Sequence, residues 1–214
     1  MDGFEEKYKE HYGVTRKVIV EKSLLDAGIS SFRDSKACSE CKQQGKDCCE
    51  TEENLRITHN YSITKVELEK FFTQFDGTSR SSLKDKCDIL LFDDKGHRIA
   101  FCEMTCSQNK YIEPYDNSKG HQVGKRAKAY QQLKSSIDKL AKVPDIASSM
   151  NRYDHRTALF AVRHKDSNNQ KEPFEISNVN KFIIFPKSIQ ANAKSDIGNG
   201  FSFEVVEYPT IYQW

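Results

Sequence analysis

Two carboxylates in one expected β-hairpin are the residues of this 214-residue chain best placed to do chemistry. Residues 87–106, CDILLFDDKGHRIAFCEMTC, form two apolar runs separated by a polar turn at 93–96. Asp88 opens the first run, and Glu103 lies inside the second. Burying an unpaired carboxylate is costly, so two neighbouring acids need a neutralising partner, and a hard divalent cation is a common one. The hairpin therefore predicts a metal-assisted reaction.

The alternation of side chains along a strand divides the second run into two faces. One face carries Phe101, Glu103 and Thr105, and the other carries Cys102, Met104 and Cys106. Because the turn joins the far ends of the strands, Asp88 is expected near Glu103. The two carboxylates, with the backbone carbonyl of Met104 as a third oxygen ligand, predict a site for one Mg²⁺. Such an ion polarises a phosphate and lowers the pKa of a bound water.

Two helices are expected to flank the hairpin. The first begins at Thr64, because Glu67 follows at the spacing of a capping box, a role we favour over metal binding. It ends at Asp76-Gly77. Its apolar stripe consists of Leu68, Phe71, Phe72 and Phe75. The second helix runs from about residue 123 to 143 and stops before Pro144.

Strands complete the expected fold. They are predicted at 88–93, 98–105, 157–162, 182–185 and 201–206. Both faces of the hairpin strands are apolar, which is typical of a sheet covered on both sides. The order of elements predicts an α/β fold with a mixed central sheet flanked by helices. We divide the chain into an N-terminal region, 1–62, and a core with C-terminal strands, 63–214.

The acidic pair and its surroundings resemble the PD-(D/E)XK nuclease superfamily over roughly residues 64–165. The resemblance rests on Asp88, a turn, the triplet Glu103-Met104-Thr105, and a helix that carries Tyr130, Gln131 and Gln132. It implies a restriction-endonuclease-like αβββαβ core. It also implies that Asp88 and Glu103 bind Mg²⁺ or Mn²⁺ for hydrolysis of nucleic acid, DNA in preference to RNA. Such small nucleases commonly serve restriction, repair or anti-phage defence.

The triplet departs from the family pattern at its last position, where Thr105 stands in place of lysine. Threonine supplies neither a positive charge nor a base. Arg126 falls on the inward stripe of the second helix and is the candidate for a relocated charge, so Asp88, Glu103, Thr105 and Arg126 form the expected catalytic set. The alternative is a catalytically degenerate nuclease fold that binds nucleic acid or a protein partner.

The seven cysteines fall into two groups. A polar segment carries the first group, Cys38, Cys41, Cys48 and Cys49. Its C-x₂-C spacing suits a structural Zn²⁺, with free thiols or a redox role as the alternatives. The second group, Cys87, Cys102 and Cys106, flanks the carboxylates and is expected on the opposite face as small buried apolar side chains.

Composition narrows the function classes. The net charge of +2 does not by itself argue for a nucleic-acid partner. No apolar run reaches the roughly 18–20 residues of a membrane helix, and the first residues lack the apolar core of a signal peptide. We therefore expect a cytoplasmic protein with reduced thiols and no membrane partner, and we leave a protein partner or a homodimer open.

The remaining candidates are weaker. Tyr111 and Tyr115 in the polar loop 107–122 are suited either to stacking on bases or to packing the loop down. The lysines of the second helix are suited either to a helix face exposed to solvent or to a surface that binds the phosphates along a nucleic-acid strand. His121 is a candidate base.

Overall fold

Helices and strands are interspersed along the described part of the chain. The computed structural model describes residues 1–34, 53–78, 81–164 and 195–214. The helices in these ranges are α1 (Phe4–Tyr12), α2 (Leu68–Thr73), α3 (Gly124–Ala141) and α4 (Pro144–Met150). The strands are β1 (Lys22–Leu25), β2 (Gly28–Phe32), β3 (Leu55–His59), β4 (Ile63–Glu67), β5 (Ile89–Phe92), β6 (Arg98–Ser107), β7 (Tyr115–Asn117), β8 (Gly120–Gln122), β9 (His155–His164), β10 (Ser195–Gly198), β11 (Phe201–Glu207) and β12 (Ile211–Gln213).

A mixed sheet forms the centre of the described part of the chain. Its seven strands follow the order β1-β4-β5-β6-β9-β11-β10. Neighbours from β1 to β6 pair antiparallel, β9 lies parallel to both β6 and β11, and β10 returns antiparallel. A smaller sheet has the order β12-β3-β2, and β7 pairs with β8. The carboxyl ends of β6, β9 and β11 therefore point to the same edge of the central sheet.

Helix α3 covers one face of the central sheet. Leu133, Ile137 and Leu140 recur at helical spacing, are fully buried, and share a cluster with Phe101 of β6 and Phe160 of β9. Each such side chain contributes roughly 1.5–3 kcal/mol by leaving water. The α/β class with a mixed central sheet and flanking helices, predicted from the sequence, is confirmed.

The opposite face is covered largely by the smaller sheet. Phe32, Leu55 and Ile57 from β2 and β3 pack in one cluster with Ile89 and Leu91 of β5. These pairs explain why both faces of β5 are apolar, because each face has its own covering layer. Strands on both sides of residue 62 share these sheets, since β1 pairs with β4 and β12 pairs with β3.

The helix expected from Thr64 is wrong in its first turn. Ile63–Glu67 is the strand β4, and the helix begins at Leu68. Glu67 makes no side-chain cap hydrogen bond, so the capping-box interpretation also fails. Pairing with both β1 and β5 satisfies the backbone of this segment, and Val66 is fully buried between them. Tertiary pairing of a β-branched segment has overridden a local helix signal.

The other expected elements agree with the structure where it describes them. Strands β5, β6, β9 and β11 and helix α3 lie within a few residues of their predicted bounds. The loop 107–122 contains a short 3₁₀ turn, Asn109–Tyr111, and the hairpin β7-β8. The strand expected at 182–185 lies outside the described residues. No helix in the described ranges has both the length and the apolar character needed to cross a bilayer.

Candidate functional site

The register of the β5-β6 hairpin brings Asp88 and Glu103 together. Ile89 pairs with Cys102, and continuing this antiparallel register by one residue sets Asp88 opposite Glu103. Burial raises the pKa of the Cys102 thiol, and Asp88 and Glu103 raise it further, so both acids lie near this thiol. Asp88 is 8% exposed and Glu103 9% exposed. The two carboxylates that the sequence singled out are therefore neighbours and largely removed from water.

Backbone groups from two other segments fix Asp88. The Met104 amide donates a 2.7 Å hydrogen bond to Oδ2 of Asp88, inside the protein. The amide of Glu69, in the first turn of α2, donates a 3.1 Å bond to the Asp88 carbonyl oxygen. The carboxylate of Asp88 is thus held by β6, and its backbone by the first turn of α2.

Helix α3 fixes the segment that enters β5. Gln132 Nε2 donates a 2.9 Å hydrogen bond to the Lys86 carbonyl oxygen. The Cys87 amide donates a 3.0 Å bond to Ser136 Oγ, which is fully buried. Gln132 was expected near the site by resemblance, and its contact in the structure is with the chain that leads to Asp88.

The two faces of β6 are divided as the alternation predicted. Phe101 packs in the cluster under α3, and Cys102 and Met104 pack in the cluster under the smaller sheet. Glu103 and Thr105 therefore lie on the α3 side of β6. Thr105 is 8% exposed, so the position that carries lysine in the resembling family is a buried hydroxyl here.

The three described cysteines are free, buried thiols. Cys87 packs in the α3-side cluster with Phe101, whereas Cys102 packs on the other side, so the prediction that all three lie opposite Glu103 is wrong for Cys87. Burial raises the pKa of the Cys87 thiol well above its usual value, the Ser136 hydrogen bond opposes this, and nearby Glu103 and Asp88 raise it further. Cys87 is accordingly a neutral packing group.

Arg126 is buried at the first turn of α3, as its place on the inward stripe predicted. Its Nε donates a 2.7 Å hydrogen bond to Oε1 of Glu113, and its amide donates a 3.0 Å bond to the Ile112 carbonyl. Gly124 permits this close approach, because a Cβ there would lie 2.5 Å from the carbonyl carbon of Glu113. The guanidinium is thus anchored to the loop before β7.

A second polar group, the pair of His164 and Glu207, lies at the same sheet edge as Arg126. His164 Nε2 ends 3.6 Å from Oε2 of Glu207, at the carboxyl ends of β9 and β11. The interaction with His164 is the main cause that lowers the pKa of Glu207, burial opposes it, and Arg126 lowers it further. Sequence reasoning missed this pair, because its two residues are 43 positions apart and only the parallel register of β9 and β11 brings them together.

A polar cavity of about 160 Å³ opens beside Asp88. Its walls include Asp88, Met104 and the charged side chains Arg33, Lys65, Glu67, Glu69 and Lys70. Sequence reasoning missed Lys65 as a site residue because it assigned β4 to a helix. The β-branched residues Ile63, Thr64 and Val66 were the available strand signal.

The other candidate residues either contact neighbours in the 107–122 loop or lie outside the described residues. The rings of Tyr111 and Tyr115 pack on each other with centroids 4.8 Å apart, so they hold the loop together. His121 Nδ1 lies 3.0 Å from Oδ1 of Asp116 on the exposed β7-β8 hairpin. The four cysteines of the expected zinc site lie outside the described residues: Cys38, Cys41, Cys48 and Cys49.

Metal binding at the hairpin would depend on few side chains. Within the described ranges, no group of three or more His, Cys, Asp and Glu side chains is arranged to hold a metal ion. An ion at Asp88 and Glu103 would therefore take its other ligands from backbone oxygen and water, as Mg²⁺ usually does.

Comparison with models of protein families, with curated proteins and with solved structures gives no match for this chain.

Proposed function

We propose that this chain is a metal-dependent phosphodiester hydrolase, a nuclease of the PD-(D/E)XK type that acts on DNA in preference to RNA. The observation that carries the proposal is the juxtaposition of two buried carboxylates, Asp88 and Glu103, at the end of the β5-β6 hairpin. Restriction or anti-phage defence is the setting in which such small nucleases commonly act.

The order of elements around the carboxylates supports the proposal. Strands β4, β5 and β6 form an antiparallel meander, α3 follows, and β9 lies parallel to β6. This succession resembles the βββαβ part of a restriction-endonuclease-like core, with α1 before the meander and α2 between its first two strands. Asp88 stands at the start of the second meander strand and Glu103 on the third, as the resemblance requires.

The donor set suits a hard divalent cation. Carboxylate and carbonyl oxygens are the ligands that Mg²⁺ and Mn²⁺ prefer. The amide and carbonyl of one strand residue point to the same side. The Met104 carbonyl therefore faces the β5 side of β6, as its amide does. Asp88, Glu103 and this carbonyl would hold the ion, which would supply an activated water and neutralise phosphate charge.

The residues of the chain supply orientation. The Met104 amide fixes the Asp88 carboxylate, and Ser136 and Gln132 fix the segment before it. Thr105 adds a hydroxyl two residues beyond Glu103 on the same face, which can donate a hydrogen bond but cannot carry charge. Because Thr105 stands where the resembling family has lysine, other cations of the chain would have to stabilise the negative charge of the transition state.

Cleavage assays with conservative variants test the proposal. Purified protein is incubated with single- and double-stranded DNA and with RNA, in Mg²⁺ or Mn²⁺ and in EDTA. We expect metal-dependent cleavage that Asp88→Asn and Glu103→Gln each reduce by at least 100-fold, since losing one ligand or charge costs several kcal/mol of transition-state stabilisation. Asp94→Asn, an exposed carboxylate at the other end of the hairpin, is the control and retains activity. Cleavage that survives both site substitutions refutes the proposal.

A binding module without catalysis is the second candidate. Arg126 favours it, because the guanidinium that was expected to replace the missing lysine bonds Glu113 in the preceding loop. In that case the parent protein binds oligonucleotides or a protein partner and shows no cleavage with any divalent cation.

A further inference from the structure

We infer that the cavity beside Asp88 binds a phosphate group of the nucleic-acid chain through Lys65 and Arg33. The inference rests on the proposed function and names the subsite that function would use. The cavity volume of about 160 Å³ exceeds the ~30 Å³ of one water several-fold, so a phosphate group has room. Its cations come from three separate elements, the segment after β2, β4 and α2.

The cavity and the carboxylate pair share a wall. Asp88 and Met104 line the cavity, and the Met104 amide is bonded to the Asp88 carboxylate. A phosphate in the cavity would therefore lie next to the carboxylate proposed to hold the ion. Adjacent phosphates of one strand would then pass from the cavity to the ion, which is the arrangement that a cleavage site requires.

Lys65 retains donors for a ligand. Its Nζ lies 2.5 Å from Oε1 of Glu67 and 5.9 Å from the centroid of the Phe32 ring. An ammonium group has three N–H donors, and one suffices for Glu67. The Lys65 side chain is 26% exposed, so part of it faces the open cavity. Lys70 is 54% exposed and bonds Glu21, which places it at the rim.

The charge balance makes the subsite dependent on the metal. The lining residues carry three basic side chains, Arg33, Lys65 and Lys70, and three acidic ones, Glu67, Glu69 and Asp88. These charges cancel, so the cavity alone attracts phosphate weakly. With Glu103 counted as its second ligand, a divalent ion would bring the net charge to one positive unit, and in a partly closed site that charge attracts an anion.

Lys65 does not restore the lysine that Thr105 replaces. The β4-β5 register sets Lys65 opposite Leu91 and Glu67 opposite Ile89, on the face covered by the smaller sheet. Thr105 and Glu103 lie on the α3 face. The role of Lys65 is therefore to hold the phosphate and offset its charge.

Fluorescence anisotropy of labelled oligonucleotides tests the subsite. Single-stranded DNA, double-stranded DNA and single-stranded RNA are titrated with protein in Ca²⁺ and in EDTA over a range of salt. We expect Lys65→Met to weaken binding about tenfold in Ca²⁺ and to lower the salt slope by about 0.7–0.9, the loss of one phosphate contact. Glu67→Gln removes a competing anion and is expected to strengthen binding.

Lys22→Met is a matched control. Lys22 also makes an ion pair, 2.6 Å from Glu5, is 30% exposed, and lies 5.5 Å from the centroid of the Phe4 ring, yet it does not line the cavity. The inference is overturned if Lys65→Met and Lys22→Met give equal affinities and salt slopes. Competition by inorganic phosphate shows whether the cavity binds any phosphate or only a phosphate within a nucleic-acid chain.

The outcomes separate this inference from the proposed function. Cleavage that depends on Asp88 but is equal in Lys65→Met and Lys22→Met overturns the subsite alone. Absence of cleavage, with binding that Lys65→Met weakens selectively, overturns hydrolysis and supports the subsite. Absence of oligonucleotide binding under all conditions overturns both.

Discussion

Replacing Asp88 with asparagine should cost the metal-free protein much less stability than replacing it with alanine, and it should remove the response to metal. The asparagine has nearly the shape of the aspartate, and its amide oxygen can still accept the 2.7 Å hydrogen bond from the Met104 amide. The substitution therefore removes one negative charge, which lies beside both Glu103 and the cations that line the cavity. Asp88→Ala removes the charge and the acceptor together.

Two opposing electrostatic effects set the magnitude. If both carboxylates were ionised and about 5 Å apart, they would repel by about 3 kcal/mol at an effective dielectric constant of about 20. Losing this repulsion offsets the lost attraction to the cavity cations, so we expect the free energy of unfolding of Asp88→Asn in EDTA to lie within about 1 kcal/mol of the parent value. Asp88→Ala should fall below Asp88→Asn by about 1–3 kcal/mol, because the buried Met104 amide then lacks its acceptor.

Urea denaturation of the parent, Asp88→Asn, Asp88→Ala and Glu103→Gln, in EDTA and in Mg²⁺, measures these differences. A ligand that binds only the folded state at 100 times its Kd stabilises it by about 2.7 kcal/mol. The parent should gain stability of this order in saturating Mg²⁺, and each variant should gain much less.

Two results would refute the reasoning. If Asp88→Asn destabilises the metal-free protein as much as Asp88→Ala, the carboxylates do not repel in the folded state. If Mg²⁺ stabilises Asp88→Asn as much as the parent, the ion does not bind between Asp88 and Glu103. Asp94→Asn, an exposed change of the same chemistry, calibrates the effect of one charge on urea stability.

Three further predictions concern the scaffold of the site. The buried Asp93 carboxylate accepts three backbone N–H groups of the hairpin turn at 2.6–3.1 Å, so Asp93→Ala should lower the urea-derived free energy of unfolding by about 2–4 kcal/mol, against less than about 0.5 for exposed Asp94→Ala. Gly124→Ala should lower the thermal midpoint more than Gly120→Ala: both have positive φ, but only at Gly124 would a Cβ meet a backbone carbonyl, 2.5 Å away, and equal shifts would contradict this. The pKa of Glu207 is lowered in the folded state, so its carboxylate contributes stability above its ordinary value of 4.5 and loses it as the pH falls through the lowered pKa. The stability difference between the parent and Glu207→Gln should shrink in acid, and a difference independent of pH would contradict the assignment.

The strong periodic segments were predictable because their signals are local. Helix α3 has its apolar residues at helical spacing, and the β5-β6 hairpin has two apolar runs around a turn with Gly96 at a φ of +80°. The β4 segment was not predictable in this way. Its capping-box spacing is a local helix signal, and the strand forms because β1 and β5 lie on either side of it.

Some contacts of the site were predictable from local sequence signals, and others were not. Asp88 and Glu103 are joined by one hairpin, so the sequence alone predicts that they meet. Lys65 and Arg33 are brought to Asp88 by sheet pairing and by the packing of the smaller sheet. His164 and Glu207 meet only because β9 and β11 are parallel neighbours. Contacts of this kind have no local signal in a single sequence.

The sequence by itself determined the acidic hairpin, the faces of β6 and the substitution of Thr105 for lysine, because alternation and turn chemistry depend on neighbours along the chain. Only the tertiary structure decided which cations stand near the acids. Arg126 is bonded to Glu113, and Lys65 lines the cavity beside Asp88. The physical reason is that a charged side chain is positioned by the packing of the element that carries it, and that packing joins residues far apart in the chain.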